Sequence, residues 1–408
     1  MRLLSLRIKN FKSLADVTFE PSDLTLIVGP NNAGKTNLAN AFKFLSEIYE
    51  FGLETAVQRA GGYENIAHRK RRRSKAAISF EMRIEIFPKD MDGGFFRRMH
   101  PNGDSLEVLH TFSFQANKQN IKSEFNIVEE FLRVDSEYGG ALLEISRNKK
   151  SIIKIEGKSH WVKFLDNLQE VNDISDRSQM LLTHWTHFSN HLTIVGTIAK
   201  HWAIFKLNSN GSRSEGIPTP NPHVEQDGSN LPAFVDYLIN KRPESWEKVE
   251  SAMRAIIPEL TGISVGYLHQ RTLGLFFTEE NFGRPWTAEE VSDGTILTLA
   301  MLCSAIDPRT TLVFMEEPEN SVHPWIIREI ISFLKEVSKE KNVILTTHSH
   351  TVIDLMHPKD IWAISRESGQ SILVRLSETD EDLISGWENG DFKLSDYLDT
   401  GLIPNVVP

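Results

Sequence analysis

Cysteine is almost absent from this sequence: Cys303 is the single one in 408 residues. One cysteine cannot form an internal disulfide, which favours a reducing compartment. No run of 18 apolar residues occurs, so no stretch resembles a membrane-spanning helix. The first residues carry a charge every few positions and lack the apolar core of a signal peptide. These absences predict a soluble, cytoplasmic protein with no membrane partner.

A surplus of positive charge is also lacking. The chain has 45 basic and 55 acidic side chains, and its formal net charge is −10. The whole chain is therefore not a polycation that coats nucleic acid, and any such contact has to come from a local patch. Hydrophobic residues make up 40% of the sequence, which is enough for one large domain or two closely associated ones.

The hydrophobic pattern divides the chain into a strand-rich first part and a later part in which strands and helices alternate. Residues 2–9 and 15–20 predict a hairpin, and 76–156 predict further strands. Residues 160–258 have a helical pattern that is broken by a polar loop at 208–230. Beyond it we predict strands at 262–279, 311–315, 342–346 and 360–375, and helices after Gly294, from 324 and from 350. The alternation is typical of a parallel α/β sheet with an antiparallel sheet beside it.

A phosphate-binding loop is predicted between an apolar strand at 24–28 and a helix at 35–49. The sequence GPNNAGKT matches the pattern G-x-x-x-x-G-K-[ST] without a gap. Glycines let backbone N–H groups point at phosphate oxygens, and the helix N-terminus adds a positive dipole end. Lys35 should reach the β- and γ-phosphates of ATP, and the Thr36 hydroxyl should bind Mg²⁺. The candidate ATP-binding residues are Gly29, Pro30, Asn31, Asn32, Ala33, Gly34, Lys35, Thr36 and Asn37.

Two later apolar strands end in residues suited to phosphate chemistry. Glu316 and Glu317 follow the strand at 311–315, at the edge where open α/β sheets bind ligands. Glu316 is placed to hold Mg²⁺ through water, and Glu317 to orient or deprotonate an attacking water. His348 follows the strand at 342–346 and could contact the γ-phosphate as a hydrogen-bond donor. The alternatives are surface acids and a structural histidine.

A second anion-binding turn is predicted before the helix that follows Gly294. Ser292 is a plausible N-cap of this helix. Its hydroxyl and the first N–H groups of the helix can also bind a phosphate, although the chain already has a phosphate loop. We therefore expect the turn of Ser292, Asp293, Gly294 and Thr295 to serve the γ-phosphate held by another subunit.

These motifs together resemble a known family. GPNNAGKT, VSDGT, LVFMEEPENSVHP and LTTHSH look like the Walker A, signature, Walker B with D-loop, and H-loop motifs of ABC-type ATPases. Asn320 and Ser321 take D-loop positions. The order resembles that of the RecF, SMC and OLD (overcoming lysogenization defect) group. The stretch RIKNFKSL is similar to the opening of this group. DGSNL and LSDYLDTGLIP look like features of its short single-chain members, the "AAA family ATPases", and nothing over roughly 90–220 resembles the group.

The resemblance implies an α/β fold, an ABC-type P-loop ATPase head with a parallel core sheet, an antiparallel β subdomain and a helical insertion. We expect the two parts of the head at 1–90 and 259–408, and a β and helical inserted lobe at 91–258. The family also implies a head-to-tail homodimer. Two ATP molecules then lie between the Walker A motif of one chain and the signature of the other.

Many small relatives act in defence against bacteriophages beside a nuclease or another effector. The leading hypothesis is therefore a cytoplasmic ATPase that controls a separate effector, such as a nuclease or toxin. A DNA-repair or DNA-structure ATPase that grips DNA is the alternative. A transporter ATPase is disfavoured by the signature and by the long gap between Thr36 and Ser292. The tail is too short for the TOPRIM domain of OLD nucleases, so we expect no nuclease activity from this chain alone.

The sequence also departs from the family pattern. Glu316 stands where SMC proteins and transporters have Asp, although its longer side chain still permits a water-mediated metal contact. His323 stands where many ABC proteins have Asp, and His350 where relatives often have Pro. Neither Gln115 nor Gln119 has the setting of the Q-loop glutamine.

Two further segments leave alternatives open. A basic run consists of Arg69, Lys70, Arg71, Arg72, Arg73 and Lys75. It is either a solvated loop or a contact to nucleic-acid phosphates or to an acidic partner surface. An arginine of the run could also help to hold nucleotide. His184, His187 and His191 have helical spacing, but no Cys or acid accompanies them. Packing of this segment on the head or on a partner is therefore favoured over metal binding.

Overall fold

The computed structural model describes residues 1–68, 76–88, 105–116, 125–137, 140–148, 153–158, 180–182, 199–269 and 271–400. The chain forms two compact units, each assembled from separate segments. Unit 1 comprises Met1–Ser22, Asn31–Trp202 and Ile364–Leu373, and unit 2 comprises Asp23–Pro30, Ala203–Ala363 and Val374–Pro408.

The secondary-structure elements of the described residues are named in chain order. The first half contains β1 (Arg2–Phe11), β2 (Leu14–Phe19), β3 (Leu24–Val28), α1 (Lys35–Phe51), α2 (Leu53–Arg59), α3 (Tyr63–Ile66), β4 (Ile78–Ile86), β5 (Leu106–Ala116), β6 (Phe125–Ser136), β7 (Gly140–Arg147), β8 (Ile153–Gly157) and β9 (Trp202–Phe205). The second half contains α4 (Ser209–Arg213), α5 (Leu231–Lys241), α6 (Pro243–Ile256), β10 (Leu260–His269), β11 (Thr272–Glu279), β12 (Trp286–Thr287), α7 (Asp293–Ile306), β13 (Leu312–Glu316), α8 (Pro324–Ser338), β14 (Asn342–Thr347), α9 (His350–Ile353), β15 (Ile361–Glu367), β16 (Gln370–Arg375), α10 (Leu383–Asn389) and α11 (Leu394–Asp399).

Unit 1 is organised around an antiparallel sheet with the strand order β2-β1-β4-β5-β6-β7-β8. Buried and partly exposed residues alternate along β4 and β5, as expected when one face of a sheet is covered. Helix α1 packs on this sheet through Phe44, whose ring lies 5.5 Å from that of Phe11 and 6.0 Å from that of Phe80. The apolar alternation in the sequence therefore fixes which face of the sheet meets α1.

A buried polar network connects the same helix to the sheet. The Oη atom of Tyr49, on α1, lies 2.5 Å from the Nδ1 atom of His110, on β5. Nε2 of His110 lies 3.4 Å from a carboxylate oxygen of Glu130 on β6. Glu130 in turn accepts hydrogen bonds from the backbone N–H groups of Leu181 and Leu182, at 2.8 and 3.0 Å. Burial raises the pKa of Tyr49 well above its ordinary value, so its hydroxyl stays protonated.

Unit 2 contains a run of parallel strands, which pair in the order β15, β3, β14 and β13. They belong to a sheet with the strand order β16-β15-β3-β14-β13-β9. Every residue of β3 and β14 is buried, as expected of strands that are covered on both faces. Apolar residues of α5, α6, α7 and α8 share one core with these strands. The predicted parallel core sheet and antiparallel subdomain are therefore both present.

The compact units divide the chain differently from the predicted segments 1–90, 91–258 and 259–408. Strand β1 pairs with β4, which in turn pairs with β5, so the N-terminal strands form one sheet with strands of the predicted inserted lobe. Helices α5 and α6 lie in unit 2, because their apolar faces join the core around α7. In addition, β9 is a strand inside the segment that was predicted to be helical.

No helix in the described part of the chain is long and apolar enough to cross a membrane.

Lys341 is a buried cation immediately before β14. Its ammonium group donates to the backbone oxygen of Asp307, at 2.5 Å, and to Oγ1 of Thr310, at 2.9 Å. Burial lowers its pKa from 10.5 to about 8, because removal from water penalises the charged form.

We therefore expect the contribution of Lys341 to the stability of unit 2 to rise with pH above 8. Between pH 8 and 10.5 the unfolded chain binds more protons at Lys341 than the folded chain. Across this range, the free energy of unfolding of the wild type should gain up to roughly 3 kcal/mol relative to that of Lys341→Met. Denaturant unfolding of both proteins at pH 8 and pH 10 measures this difference. The same pH dependence in both proteins would contradict the assignment.

Candidate functional site

The predicted phosphate loop directly follows β3 and leads into α1. Gly29 and Pro30 belong to unit 2, whereas residues 31–37 belong to unit 1. The side chain of Lys35 is buried and that of Thr36 is exposed. The loop thus has the strand and the helix that its sequence pattern requires.

Two serines from distant parts of unit 1 hold the loop in shape. The Ser371 hydroxyl donates to the backbone oxygen of Ala33, at 2.6 Å, and lies 2.7 Å from the Ser13 hydroxyl. Asn37 donates to Ser13 Oγ, at 2.7 Å. Gly34 has a φ of 124°, and a Cβ there would overlap Ser371 Oγ, so only glycine fits. As the N-cap of α1, Gly34 offers no side-chain oxygen to the helix N-terminus, which suits binding of a phosphate.

The two predicted acidic residues lie at the C-terminal edge of the parallel strands of unit 2. Glu316 ends β13 and is paired with Thr346 of β14. Glu317 follows with a φ of 50°, and its N–H donates to the backbone oxygen of Thr346, at 2.9 Å. A left-handed conformation is strained for a residue other than glycine and persists only where the surroundings hold it. The β13–β14 pairing therefore presents Glu317 in a fixed orientation.

The structure brings Glu317 together with two other predicted residues. Asn320 of the D-loop donates to one carboxylate oxygen of Glu317, at 2.9 Å. Nε2 of His348 lies 4.0 Å from the other oxygen. Glu317, Asn320 and His348 thus form a cluster at one end of the parallel strands.

Glu319 completes this cluster. One of its carboxylate oxygens accepts hydrogen bonds from Thr347 Oγ1, at 2.6 Å, and from the N–H of His348, at 2.9 Å. Thr347 Oγ1 also accepts the N–H of Ser349, at 2.9 Å. Glu319 therefore connects the loop after β13 to the backbone that carries His348. The only sequence signal for Glu319 is its position as an acid two residues after Glu317.

The predicted signature turn begins α7. Ser292 is the N-cap, as its sequence setting predicts, and its hydroxyl accepts the N–H of Thr295, at 3.1 Å. The side chains of Ser292 and Asp293 are exposed. A Cβ on Gly294 would lie 3.5 Å from the backbone oxygen of Ser321. The backbone of Ser321 has a φ of 62°. The signature turn and the D-loop are therefore neighbours on the surface of unit 2.

A small surface hollow lies beside Glu316 and Glu317. Its other lining residues come from β9 and the segment after it, from α7, from the end of β13 and from the D-loop: Phe205, Leu207, Leu297, Met301, Met315, Pro318 and Asn320. The signature helix and the acidic edge therefore line the same hollow.

The two histidines that depart from the family pattern occupy helix starts. His323 is the N-cap of α8, and its Nδ1 accepts the N–H of Trp325 at a long 3.4 Å. His350 begins α9, with its Nε2 3.6 Å from a carboxylate oxygen of Asp399. Both substitutions are thus compatible with the local structure.

Several predictions fall on residues that the structure does not describe. The basic run at 69–75, the three histidines at 184–191 and Gln119 lie outside the described residues. Gln115 lies on β5, within the antiparallel sheet of unit 1. Within the described residues, no three His, Cys, Asp or Glu side chains are grouped so as to hold a metal ion. The predicted Mg²⁺ ligands, Thr36 and Glu316, offer oxygen atoms, which Mg²⁺ prefers together with waters and phosphates.

Comparison with known proteins places the chain in a family. Residues 24–354 match the family model described as "AAA domain, putative AbiEii toxin, Type IV TA system". The chain is also similar to the "Old nuclease" of Escherichia phage P2, with 23% identity over 403 residues. The match covers 94% of this chain but only 62% of that protein.

Two solved structures share the fold. One is an SmcHead bound to the C-winged helix domain of ScpA, with a TM-score of 0.53, 14% identity, and coverage of 93% of this chain and 100% of that chain. The other is an Smc head domain with an extended coiled coil, bound to the C-terminal domain of ScpA and derived from Pyrococcus furiosus. Its TM-score is 0.50 at 14% identity, with coverage of 96% of this chain and 100% of that chain.

The predicted fold class is confirmed by these structures, and the predicted resemblance by the family match. The chain belongs to the AAA-domain family of that description, and it shares the fold of SMC heads.

Proposed function

We propose that the protein binds and hydrolyses ATP with Mg²⁺ at sites that are completed when two copies associate. We propose further that this cytoplasmic ATPase controls a separate effector in defence against bacteriophages. The first proposal is carried by one observation, the cluster of Glu317, Asn320 and His348 at the end of β13 and β14.

ATP binding is assigned to the loop from Gly29 to Asn37. The glycine at position 34 and the uncapped start of α1 suit a phosphate, and Lys35 supplies the positive charge. Thr36 and Glu316 are the proposed ligands of Mg²⁺, which would neutralise charge that develops on the phosphates.

Hydrolysis is assigned to Glu317. Its strained backbone and its hydrogen bond from Asn320 restrict the directions in which the carboxylate can point. A fixed carboxylate at this edge can orient a water and accept its proton as the water attacks the γ-phosphate. His348, held through its backbone by Glu319, is the proposed donor to that phosphate.

Completion by a second copy is assigned to the signature turn. Ser292 and Asp293 are exposed, and the D-loop lies beside Gly294. An exposed helix N-terminus can bind an anion that is carried by another molecule. In a symmetric dimer each chain would offer its phosphate loop to one site and its signature turn to the other.

Glu317→Gln should trap ATP. The amide cannot accept a proton, so kcat should fall about 100-fold or more while ATP binding is retained. Steady-state phosphate release and ATP affinity would be measured, together with mass by light scattering, where ATP should produce a long-lived dimer.

Glu329→Gln provides the matched control, because Glu329 is an exposed glutamate of α8 in the same unit. It should leave turnover unchanged. Wild-type turnover in Glu317→Gln would reject Glu317 as the group that activates water.

Two inactive variants should restore activity when they are mixed. Lys35→Ala should lose ATP binding, and Ser292→Ala should bind ATP without turnover. In an equal mixture, half of the dimers contain one chain of each kind and have one intact site. Turnover should then return to about a quarter of the wild-type value if the sites act independently.

The mixing experiment distinguishes a site that is shared by two chains from a site that lies within one chain. If both halves of the site came from one chain, mixing would restore nothing. Unchanged activity of Ser292→Ala alone would reduce Ser292 to a helix cap.

Control of an effector is supported by the similarity to a phage nuclease and by the toxin named in the family description. The chain spans 62% of that nuclease, so we propose an ATPase role for this chain and assign nuclease or toxin chemistry to a partner.

A partner should therefore co-purify in a nucleotide-dependent way. Tagged Glu317→Gln, isolated from the native host with ATP, should retain one effector protein at constant stoichiometry. The amount of effector recovered with Lys35→Ala should differ from this. Equal recovery with both variants would argue against ATP control. If the purified chain cleaved DNA with Mg²⁺ in the absence of any partner, this result would argue against a separate nuclease.

A further inference from the structure

Arg213 ends the short helix α4 and is almost fully enclosed, with 12% of its side chain exposed. One of its terminal nitrogens, Nη2, donates to the backbone oxygen of Val291, at 2.6 Å. The same nitrogen lies 2.9 Å from a carboxylate oxygen of Asp293. One guanidinium nitrogen therefore contacts the residues immediately before and after Ser292.

These two contacts constrain the conformation of the signature turn. Ser292 has a φ of −65° and a ψ of 155°, which is the extended geometry of an N-cap. Arg213 holds the backbone of Val291 before Ser292 and the side chain of Asp293 after it. Rotation about the backbone of Ser292 is therefore limited. The Ser292 hydroxyl and the first N–H groups of α7 are then held in one arrangement.

The contact with Asp293 also has an electrostatic consequence. A carboxylate at the N-terminus of α7 stabilises the helix but repels a phosphate that binds to the same N–H groups. The positive charge of Arg213 offsets the charge of Asp293, whose side chain is 54% exposed. Without Arg213, the turn would present an uncompensated negative charge to the incoming phosphate.

The turn at 227–230 packs against α4, the helix that Arg213 ends. Asn208 accepts the N–H of Gly211, at 2.8 Å, and its own N–H donates to the backbone oxygen of Asp227, at 3.0 Å. Gly228 has a φ of 95°, and a Cβ there would overlap Ser212 Oγ. The glycine thus allows the turn to lie directly against α4.

We propose that Arg213 is a positioning residue for the signature turn, which it orders and neutralises so that the turn can accept the γ-phosphate of ATP bound to a second copy. This inference rests on the proposed two-copy site. It predicts that the charge of Arg213 matters only because of Asp293, and that Arg213 acts on the partner's nucleotide.

The test uses the full chain with Arg213→Ala, Arg213→Lys and the double variant Arg213→Ala with Asp293→Asn. Arg254→Ala is the matched control, because Arg254 is an exposed arginine of the same unit that pairs with Glu250. Loss of a charged hydrogen-bonding group should lower the kcat of Arg213→Ala about tenfold or more. The affinity of the chain's own phosphate loop for ATP should stay within about twofold, because that loop is intact.

Arg213→Lys should retain part of the activity, since it keeps the charge but not the planar donor geometry. The double variant should recover several-fold over Arg213→Ala, because it removes the unpaired carboxylate. Arg254→Ala should match the wild type. A purely structural role would give no recovery in the double variant, and this result would overturn the electrostatic part of the proposal.

Mixing separates failure of this inference from failure of the two-copy site. Arg213→Ala mixed with Lys35→Ala should regain activity, as Ser292→Ala does. If the Ser292→Ala mixture recovers and the Arg213→Ala mixture does not, Arg213 does not act through the signature turn. If neither mixture recovers while the wild type hydrolyses ATP, the two-copy site itself is wrong.

Discussion

The parallel pairing of β3, β14 and β13 is the constraint on which the candidate site depends. It aligns Thr347 with Val28 and Glu316 with Thr346, so the segments that follow all three strands leave the sheet at one edge. The carboxyl edge of a parallel sheet is where ligands bind in open α/β folds. A slip of one residue in β13 would turn Glu316 to the other face of the sheet and remove the hydrogen bond between Glu317 and Thr346.

Around this edge, the functional groups are held by other polar groups rather than by apolar packing. Glu317 adopts a left-handed backbone and receives a hydrogen bond from Asn320. Glu319 takes two hydrogen bonds from the segment of Thr347 and His348. Such bonds fix direction as well as distance, which an electrostatic site needs if little reorganisation is to accompany the reaction. The arrangement costs backbone strain at Glu317, and the surrounding contacts offset that cost.

Much of this site could be predicted from the sequence, because its groups follow apolar strands within short, ordered motifs. Such motifs indicate the Gly29–Thr36 loop, the acids at the end of β13 and His348 after β14, and the roles of these residues stay predictions. The roles of Ser371 and Arg213 could not be predicted from such motifs. Ser371 contacts residues more than 300 positions away, and Arg213 contacts the signature turn 78 positions away. A single serine or arginine has no local pattern that indicates such a contact. The compact units also divide the chain differently from the predicted segments, since β4 and β5 pair across the predicted boundary at residue 90.

The Tyr49–His110–Glu130 network gives α1 a second fixed point, about 21 Å along the helix from Lys35 by the rise of an α-helix. The phosphate loop and the Tyr49 hydroxyl therefore lie at opposite ends of the same helix. The hydroxyl meets a buried chain of hydrogen bonds that ends on the backbone of Leu181 and Leu182. Buried hydrogen bonds of this kind tolerate little lengthening before they break. The proposed nucleotide site at one end of α1 and residues 181–182 near the other end are therefore connected through a single helix.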